Sequence, residues 1–445
     1  MKLMLSYMKK YRWMVAGVMG MKLLGTLGEL MIPYILEHLI DDVAPTRNLT
    51  QVILWGLAML ALAVVVRWVN VTSNRRSVRG AQLATYEIRR DLFWRSLNLS
   101  GNQIDEVGLP SLISRMTSDS YNVQSFLQSC QTMGIRGPIM LLGGIAVTMT
   151  MDVGLASILC VMAPIMILVV IGVSRKGIPL YDKVQVSLDS VVRIMRENIT
   201  GIRVVKSLSK EDYEKRRFDT ANEEMTRRDR RASVIMALPG PLLTLALNMG
   251  LTLVVIVGAK RVNSGVTQPG VILAFLTYFN MIMMGIMGLN RLFMTLSKAN
   301  ASANRIAAVI DQPEELGAIP EAEAAHTDRE EFIIFDDVSF RYGGNEAAPT
   351  GTHFAGGHRQ QALTDIRFAM KKGGSLGIIG ATGCGKTTIL NLLMRFYDAT
   401  EGHIFVDGKD VRTYDKDELH RKFGVVFQND VIFADTLEEN IVFGR

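Results

Sequence analysis

Six apolar runs, each close to the length of a membrane helix, are the feature that most constrains this 445-residue chain. A helix that crosses a bilayer needs about 20 predominantly apolar residues. The runs lie at about residues 13–36, 52–71, 134–151, 153–173, 238–259 and 269–289. A bundle of buried soluble helices is the alternative, but six runs of this length favour a transmembrane domain. We expect a tight turn at Asp152 between the third and fourth helices.

The start of the chain raises the question of a signal peptide. Lys2, Lys9 and Lys10 precede the first apolar run, as basic residues precede a leader sequence. The run is too long for a leader, however, and no small-residue cleavage site follows it. We therefore predict a retained first helix that follows a short amphipathic elbow.

Lysine and arginine cluster on one side of the predicted spans. They are concentrated near the N-terminus, in 75–90 and in 175–231, whereas the other loops are short and less basic. Because cytoplasmic loops carry the excess of basic residues, we predict a multi-pass protein of the cytoplasmic membrane with both termini in the cytoplasm. The net charge of +6 is then mostly a topology signal. A nucleic-acid partner is not favoured, since no basic patch is interleaved with aromatic residues.

Two long segments between the spans have helical periodicity. Residues 83–97 and 184–231 carry apolar residues at helical spacing among many charges. We predict that membrane helices two to five continue past the bilayer as stalks that pass motion to a cytoplasmic partner. Solvated helical hairpins without a partner are the alternative.

The pattern changes after the membrane region. We place a transmembrane domain at residues 1–302, an acidic and alanine-rich linker at 303–330, and a partial α/β domain at 331–445. Short β-rich runs predict strands at 331–335, 338–342, 366–370, 375–379, 402–406 and 424–427, with a helix at 388–395. A polar insertion at 343–361 contains His353 and His358, and we expect a loop there rather than a metal site.

A phosphate-binding loop lies at the junction of a predicted strand and helix. Residues 380–387 match the pattern G-x-x-x-x-G-K-[ST]. Backbone N–H groups of such a loop wrap phosphate oxygens, Lys386 can reach the β- and γ-phosphates, and the Thr387 hydroxyl can bind Mg²⁺. We assign nucleotide binding to Gly380, Thr382, Gly383, Cys384, Gly385, Lys386, Thr387 and Thr388, with ATP and Mg²⁺ as the expected ligands. The alternative is an ordinary glycine-rich turn.

With this loop behind six membrane spans, the chain resembles a half-transporter of the ATP-binding cassette (ABC) exporter family, of the multidrug or lipid type. The stretches 338–342, 393–398, 425–428 and 436–441 resemble that family's nucleotide-binding domain. The resemblance implies that Tyr342 stacks on adenine and that Gln428, in the family's Q-loop, reaches Mg²⁺ and the attacking water. A core tyrosine and a surface glutamine are the alternative interpretations. The resemblance also implies that short helices near 112–119 and 197–206 dock on nucleotide-binding domains.

Some of the family's motifs are not found after Lys386. No signature sequence, catalytic glutamate or switch histidine follows, and Asp407 is interpreted as part of a hairpin turn. We therefore interpret the chain as C-terminally truncated within the nucleotide-binding domain. The resemblance implies an ATPase transporter at full length, and we expect that this fragment does not hydrolyse ATP by itself. Cys384 replaces the more usual serine of the loop. Together with Cys130 and Cys160 it shows no pairing pattern.

The resemblance implies a dimer that exports a hydrophobic or amphipathic substrate, with membrane lipid and a second half-transporter as partners. A non-catalytic half of a heterodimer, or a membrane protein regulated by ATP, are the alternatives. The substrate is not specified by the sequence. Lys22 and Glu29 lie seven residues apart on similar faces of the first span. They either line the transport path or form a structural pair.

Overall fold

The computed structural model describes residues 1–313, 316–342, 361–428 and 431–443. Its contacts divide the chain into two units. The first, here called the membrane unit, contains residues 1–88 and 119–304. The second, here called the nucleotide unit, contains residues 89–118 and 305–445. Each unit is discontinuous in sequence.

Six helices among the described residues are long and apolar enough to cross a membrane, as the sequence predicts. They follow a short first helix, α1 (Lys2–Lys10), which corresponds to the predicted elbow and ends at Tyr11. The helices that contain the six spans are α2 (Arg12–His38), α3 (Leu49–Leu97), α6 (Ser120–Met151), α7 (Val153–Thr200), α10 (Pro239–Asn263) and α11 (Pro269–Ile310).

The predicted turn between the third and fourth spans is confirmed. Helix α6 ends at Met151, and Asp152 adopts an extended backbone before α7 begins. The Asp152 carboxylate accepts hydrogen bonds from the Leu155 N–H and from Thr267, and it pairs with Arg261. It therefore caps α7 and connects that helix to the loop before α11.

The helices are long enough for the predicted stalks, which stay a prediction. Helix α3 has 49 residues and α7 has 48, which at a rise of 1.5 Å per residue gives about 70 Å, more than twice the hydrocarbon thickness. Helix α9 (Glu211–Ala237) leads into α10 and packs along α7. The sixth helix, α11, also extends well past its apolar run, with 42 residues.

The core of the membrane unit lies between α7, α10 and α11. Phe275, Phe279 and Leu159 are fully buried there. Gly250 of α10 faces Phe279, and a Cβ atom at this glycine would lie 2.2 Å from the ring. The absence of a side chain at Gly250 therefore allows α10 and α11 to approach closely.

The nucleotide unit contains a four-stranded antiparallel sheet in the order β2-β1-β3-β4. Its strands are β1 (Ile333–Arg341), β2 (Gln361–Met370), β3 (Glu401–Val406) and β4 (Lys409–Asp410). One face is covered by α12 (Lys386–Leu393), whose Ile389 and Leu392 are buried against the sheet residues Phe335 and Val406. Short helices α13 (Lys416–His420) and α14 (Leu437–Val442) follow.

Two predicted strands are wrong. Residues 375–379 and 424–427 form no strand in the structure. Ile379 is 98% exposed and Val426 is 92% exposed. Apolar runs of this kind form strands when neighbours pair with them and cover both faces, and no described segment does so here. The runs predicted at 331–335 and 338–342 form the single strand β1, which bulges near Asp337.

The domain boundaries at 302/303 and 330/331 stay a prediction, although α11 continues past residue 302 to Ile310. The insertion, apart from residue 361, lies outside the described residues.

Candidate functional site

The phosphate-binding loop has the backbone that its glycines permit. Gly383 has φ +86° and Gly385 has φ +93°, both in the left-handed region. Gly385 is the N-cap of α12, which begins at Lys386. A Cβ atom at Gly385 would lie 2.9 Å from the Ala362 carbonyl oxygen. Glycine at this position therefore satisfies both the dihedral angle and the close approach to β2.

The side chains of the loop converge on a small space. Lys386 Nζ donates to the carbonyl oxygens of Gly380 and Ala381, both at 2.8 Å. A Cβ atom at Gly380 would lie 2.5 Å from Cys384 Sγ. The loop is thus closed around the ammonium group, and the start of α12 adds the partial positive charge of a helix N-terminus. A phosphate group would fit this arrangement, because its negative charge would replace the two carbonyl oxygens as the hydrogen-bond acceptor of Lys386.

The remaining predicted residues of the loop differ in exposure. Thr382, Cys384 and Thr387 are exposed, whereas Thr388 is buried. The Thr387 hydroxyl is therefore accessible, as a ligand to Mg²⁺ must be. No group of three or more acidic, histidine or cysteine side chains suited to a metal occurs among the described residues. The residues thus fit Mg²⁺ only in the way typical of nucleotide sites, where phosphate oxygens and water supply most ligands.

Tyr342 lies next to the loop helix. Its hydroxyl shares a hydrogen bond of 3.0 Å with Thr388 Oγ1. Its ring packs edge-to-face against Phe340 and against Tyr397, with centroid distances of 4.8 and 5.2 Å. The structure therefore brings the predicted adenine-binding aromatic residue to the phosphate-binding helix.

Gln428 is exposed. Its role at Mg²⁺ and water stays a prediction. Asp407, in contrast, occupies the turn between β3 and β4, as expected, and its carboxylate pairs with Lys422 at 2.9 Å. That ion pair lowers the pKa of the Asp407 carboxyl group.

The sequence analysis did not predict the short helix α4 (Gly101–Val107). This helix belongs to the nucleotide unit and contacts residues 396 and 397, which follow the end of α12. The Gly101 N–H donates to the Phe396 carbonyl oxygen at 3.0 Å, and the Tyr397 hydroxyl donates to Asp105 Oδ2 at 3.0 Å. Burial and the neighbouring Asp105 carboxylate raise the pKa of Tyr397 to about 12.

The predicted stretch 112–119 lies after α4 and forms part of α5 (Leu109–Ser114) and a following π-helical turn. Helix α4, which contacts residues 396–397, therefore precedes the predicted docking region at 112–119. A capping pattern could have located it, because Ser100 and Gln103 form a capping box at its start.

The second predicted docking region does contain a short helix, α8 (Ile202–Ser207), between α7 and α9. Its apolar side chains Ile202 and Val204 are 44% and 60% exposed, and Leu208 at its end is 62% exposed. The predicted docking contact requires exposed apolar side chains such as these, and the docking itself stays a prediction.

Comparisons with known proteins agree with this arrangement. The family profile described as the ABC transporter transmembrane region matches residues 15–287, and the profile described as ABC transporter matches residues 363–443. An uncharacterised ABC transporter ATP-binding protein of Bacillus subtilis strain 168 (YfiB) is 31% identical over 99% of this chain and 74% of its own length.

Two further relatives come from mycobacteria. An uncharacterised ABC transporter ATP-binding protein of Mycobacterium tuberculosis is 28% identical over 99% of this chain and 74% of its own length. A fatty acid ABC transporter ATP-binding/permease protein of Mycobacterium bovis is 27% identical over 91% of this chain and 60% of its own length.

Proposed function

Because the chain belongs to the ABC transporter family, we propose that it is one half of a dimeric exporter driven by ATP. The substrate is hydrophobic or amphipathic, such as a drug, a lipid or a peptide, and it leaves across the cytoplasmic membrane. Both termini lie in the cytoplasm, where the basic segments are concentrated. The partner is a second half-transporter, either identical or different.

One observation carries this proposal: a closed phosphate-binding loop at the start of α12 occurs in the same chain as six helices able to cross a membrane. Lys386 would meet the β- and γ-phosphates, and the exposed Thr387 hydroxyl would hold Mg²⁺, which neutralises phosphate charge when bound. Tyr342, which already contacts Thr388, would stack on the adenine ring. Gln428 would orient water.

The contacts of α4 would connect the nucleotide site to the end of α3 within the nucleotide unit. Tyr397 contacts Tyr342 on one side and Asp105 on the other. Helix α4 directly follows α3 in the chain. A shift of Tyr342 on nucleotide binding would therefore move the C-terminal end of α3 through α4. The exposed apolar residues of α8 would dock on the nucleotide-binding domain of the partner half.

We expect this 445-residue chain to bind ATP without hydrolysing it. Asp407, an acid at the end of a strand in the nucleotide unit, is held in a hairpin turn by Lys422. No acidic side chain is therefore assigned as a general base among the described residues. A non-catalytic half that binds ATP beside an active partner is the second candidate function.

The similarity to a fatty acid transporter of Mycobacterium bovis supports an amphipathic substrate. Two exposed methionines of α11, Met284 and Met287, also suit a varied apolar ligand, because thioether side chains adapt to irregular surfaces. Met281 and Met283 pack against the core instead.

The test compares Lys386→Ala with Lys371→Ala, which removes the same charge from an exposed position in the same unit. We expect Lys386→Ala to weaken binding of a fluorescent ATP analogue at least about tenfold, because a charge-assisted contact to phosphate is lost. Lys371→Ala should bind like the wild type. Equal binding by both variants would refute the assigned site. Absence of ATP-dependent transport in liposomes, by a dimer in which a partner half hydrolyses ATP, would refute the exporter.

A further inference from the structure

A chain of charged and amide side chains joins three helices of the membrane unit. Lys22 Nζ of α2 donates to Asn70 Oδ1 at 2.9 Å and to Asn74 Oδ1 at 3.1 Å, both on α3. The same Asn70 amide donates from Nδ2 to Glu29 Oε1 at 3.0 Å. Glu29 in turn pairs with Arg136 of α6 at 3.1 Å.

The backbone of α2 is adapted to this network. Lys22, Gly25 and Glu29 lie on one face of the helix, since they are three and four residues apart. A Cβ atom at Gly25 would lie 3.0 Å from Asn70 Nδ2. Glycine at this position therefore leaves room for the amide that connects the lysine to the glutamate.

The network has one positive charge that no carboxylate within it neutralises. Lys22 is 3% exposed and Asn70 is 5% exposed, so neither can be solvated freely. The partners of Lys22 are neutral amides, and the single carboxylate, Glu29, is paired with Arg136. Two cations and one anion leave a surplus of one unit. Buried or membrane-embedded charge is costly unless it is paired.

Arg136 is the most exposed charged member of the network. Its side chain is 34% exposed, although it lies within the predicted third span. Exposing a guanidinium group to lipid chains costs free energy. The exposed part of Arg136 must therefore contact water, a headgroup or a bound anion. A guanidinium also offers two parallel donors that match a carboxylate.

We propose that this network is a binding site for the head of an amphipathic carboxylate, the class of substrate that the transporter carries. The carboxylate would bind to the exposed side of Arg136 and neutralise the surplus charge, while Glu29 keeps its bond to Asn70. A monovalent head matches a surplus of one unit. This proposal deepens the proposed function, because it names the substrate class of the same transport path.

The charges predict opposite effects for two substitutions. Arg136→Gln removes the donor and the surplus charge, so carboxylate binding should weaken at least about tenfold, as expected for loss of a charge-assisted hydrogen bond. Glu29→Gln removes the internal competitor and keeps an amide for Asn70, so binding should tighten several-fold. A purely structural network would lose binding in both variants.

The measurement is association of a spin-labelled stearate with the whole chain in nanodiscs of zwitterionic lipid. A trimethylammonium analogue of the same chain length gives the charge preference. Arg67→Gln is the matched control, because Arg67 is an exposed arginine within the second predicted span. We expect the control to keep the stearate preference within about twofold.

Several outcomes would overturn the proposal. Equal losses for Arg136→Gln and Arg67→Gln would indicate general attraction of anions to the membrane surface. Displacement of stearate by phosphatidylglycerol at equal concentration would indicate an anionic lipid instead. A change only in the oligomeric state of Arg136→Gln would place the guanidinium at a subunit interface.

Two controls distinguish misfolding of a variant, failure of the proposed function and failure of the carboxylate site. If Arg136→Gln does not fold, as judged by thermal unfolding, Arg136→Lys replaces it, and an intermediate loss is expected because the charge stays and the fork is lost. Binding of the ATP analogue is measured in the same samples. Loss of analogue binding in the wild type counts against the proposed function, whereas loss of the stearate preference alone counts against this site.

Discussion

Replacing Tyr397 by phenylalanine removes one hydroxyl and tests whether the nucleotide unit holds α4 through Asp105. The ring contacts to Phe340 and Tyr342 would remain, because they do not involve the hydroxyl. Only the 3.0 Å bond to Asp105 Oδ2 would be lost. We expect α4 to open more often and the rest of the sheet to be unaffected.

The size of the effect follows from the exposure of the pair. A hydrogen bond to a charged group contributes about 1.5–3 kcal/mol when it is buried. This bond is exposed to solvent, so we take roughly 0.2–1 kcal/mol, the range typical of exposed charged pairs. That is an increase of about 1.4-fold to fivefold in the opening equilibrium, since about 1.4 kcal/mol is tenfold.

Gly101→Ala should act more strongly on the same contact. The added Cβ atom would lie 2.4 Å from the Tyr397 ring and 2.8 Å from the Phe396 carbonyl oxygen. The ring can rotate away, but the backbone oxygen cannot move easily. Overpacking of this kind costs roughly 1–3 kcal/mol, so opening should increase about five- to more than a hundredfold.

Hydrogen exchange of the amides of α4, measured by mass spectrometry on the whole chain, reports the opening directly. Tyr213→Phe serves as the control, because Tyr213 is 58% exposed on α9. A double substitution with Asp105→Asn completes the cycle. If the effects of Tyr397→Phe and Asp105→Asn simply add, the two side chains do not act as a pair, and the assigned route from the nucleotide to α4 fails.

Two further predictions concern a thiol and a carboxyl group. A thiol-specific alkylator should block binding of the ATP analogue through Cys384, which is exposed in the loop, and Cys384→Ala should be resistant; unchanged affinity after confirmed labelling would contradict this. Burial alone would raise the pKa of Asp152, but hydrogen bonds from Thr267, a backbone N–H and Arg261 hold it below the usual value. Asp152 therefore stabilises the fold above about pH 4, the ordinary aspartate pKa, and this contribution is lost as the pH falls through the lower folded-state pKa. Asp152→Asn should lower the thermal stability at pH 7 and reduce its acid dependence, and an unchanged unfolding profile would contradict the assignment.

The membrane helices and the phosphate-binding loop could be predicted because their signals are local. A run of about 20 apolar residues is sufficient to define a spanning helix. The loop needs only glycines at Gly383 and Gly385 and a lysine at the start of a helix. Neither depends on which distant segment lies nearby.

The wrong strands depend on distant segments. Residues 375–379 and 424–427 have the composition of buried parallel strands, but a strand exists only where another strand pairs with it. Composition carries no information on whether that partner is present. The contact between Asp105 and Tyr397 was missed for a similar reason, because the two residues are almost 300 positions apart and neither belongs to a recognisable pattern.

Helix α4 has only seven residues, and an isolated helix of that length is not stable in water. It forms because its capping box closes one end and because Gln103 Nε2 donates to the Pro313 carbonyl oxygen at 2.9 Å. Asp105 adds the bond to Tyr397, whose ring contacts Tyr342. The stability of α4 therefore depends on its contacts with residues next to the phosphate-binding helix. Because α4 depends on these contacts, we expect a movement of Tyr342 to affect it more than it would affect a long, independently stable helix.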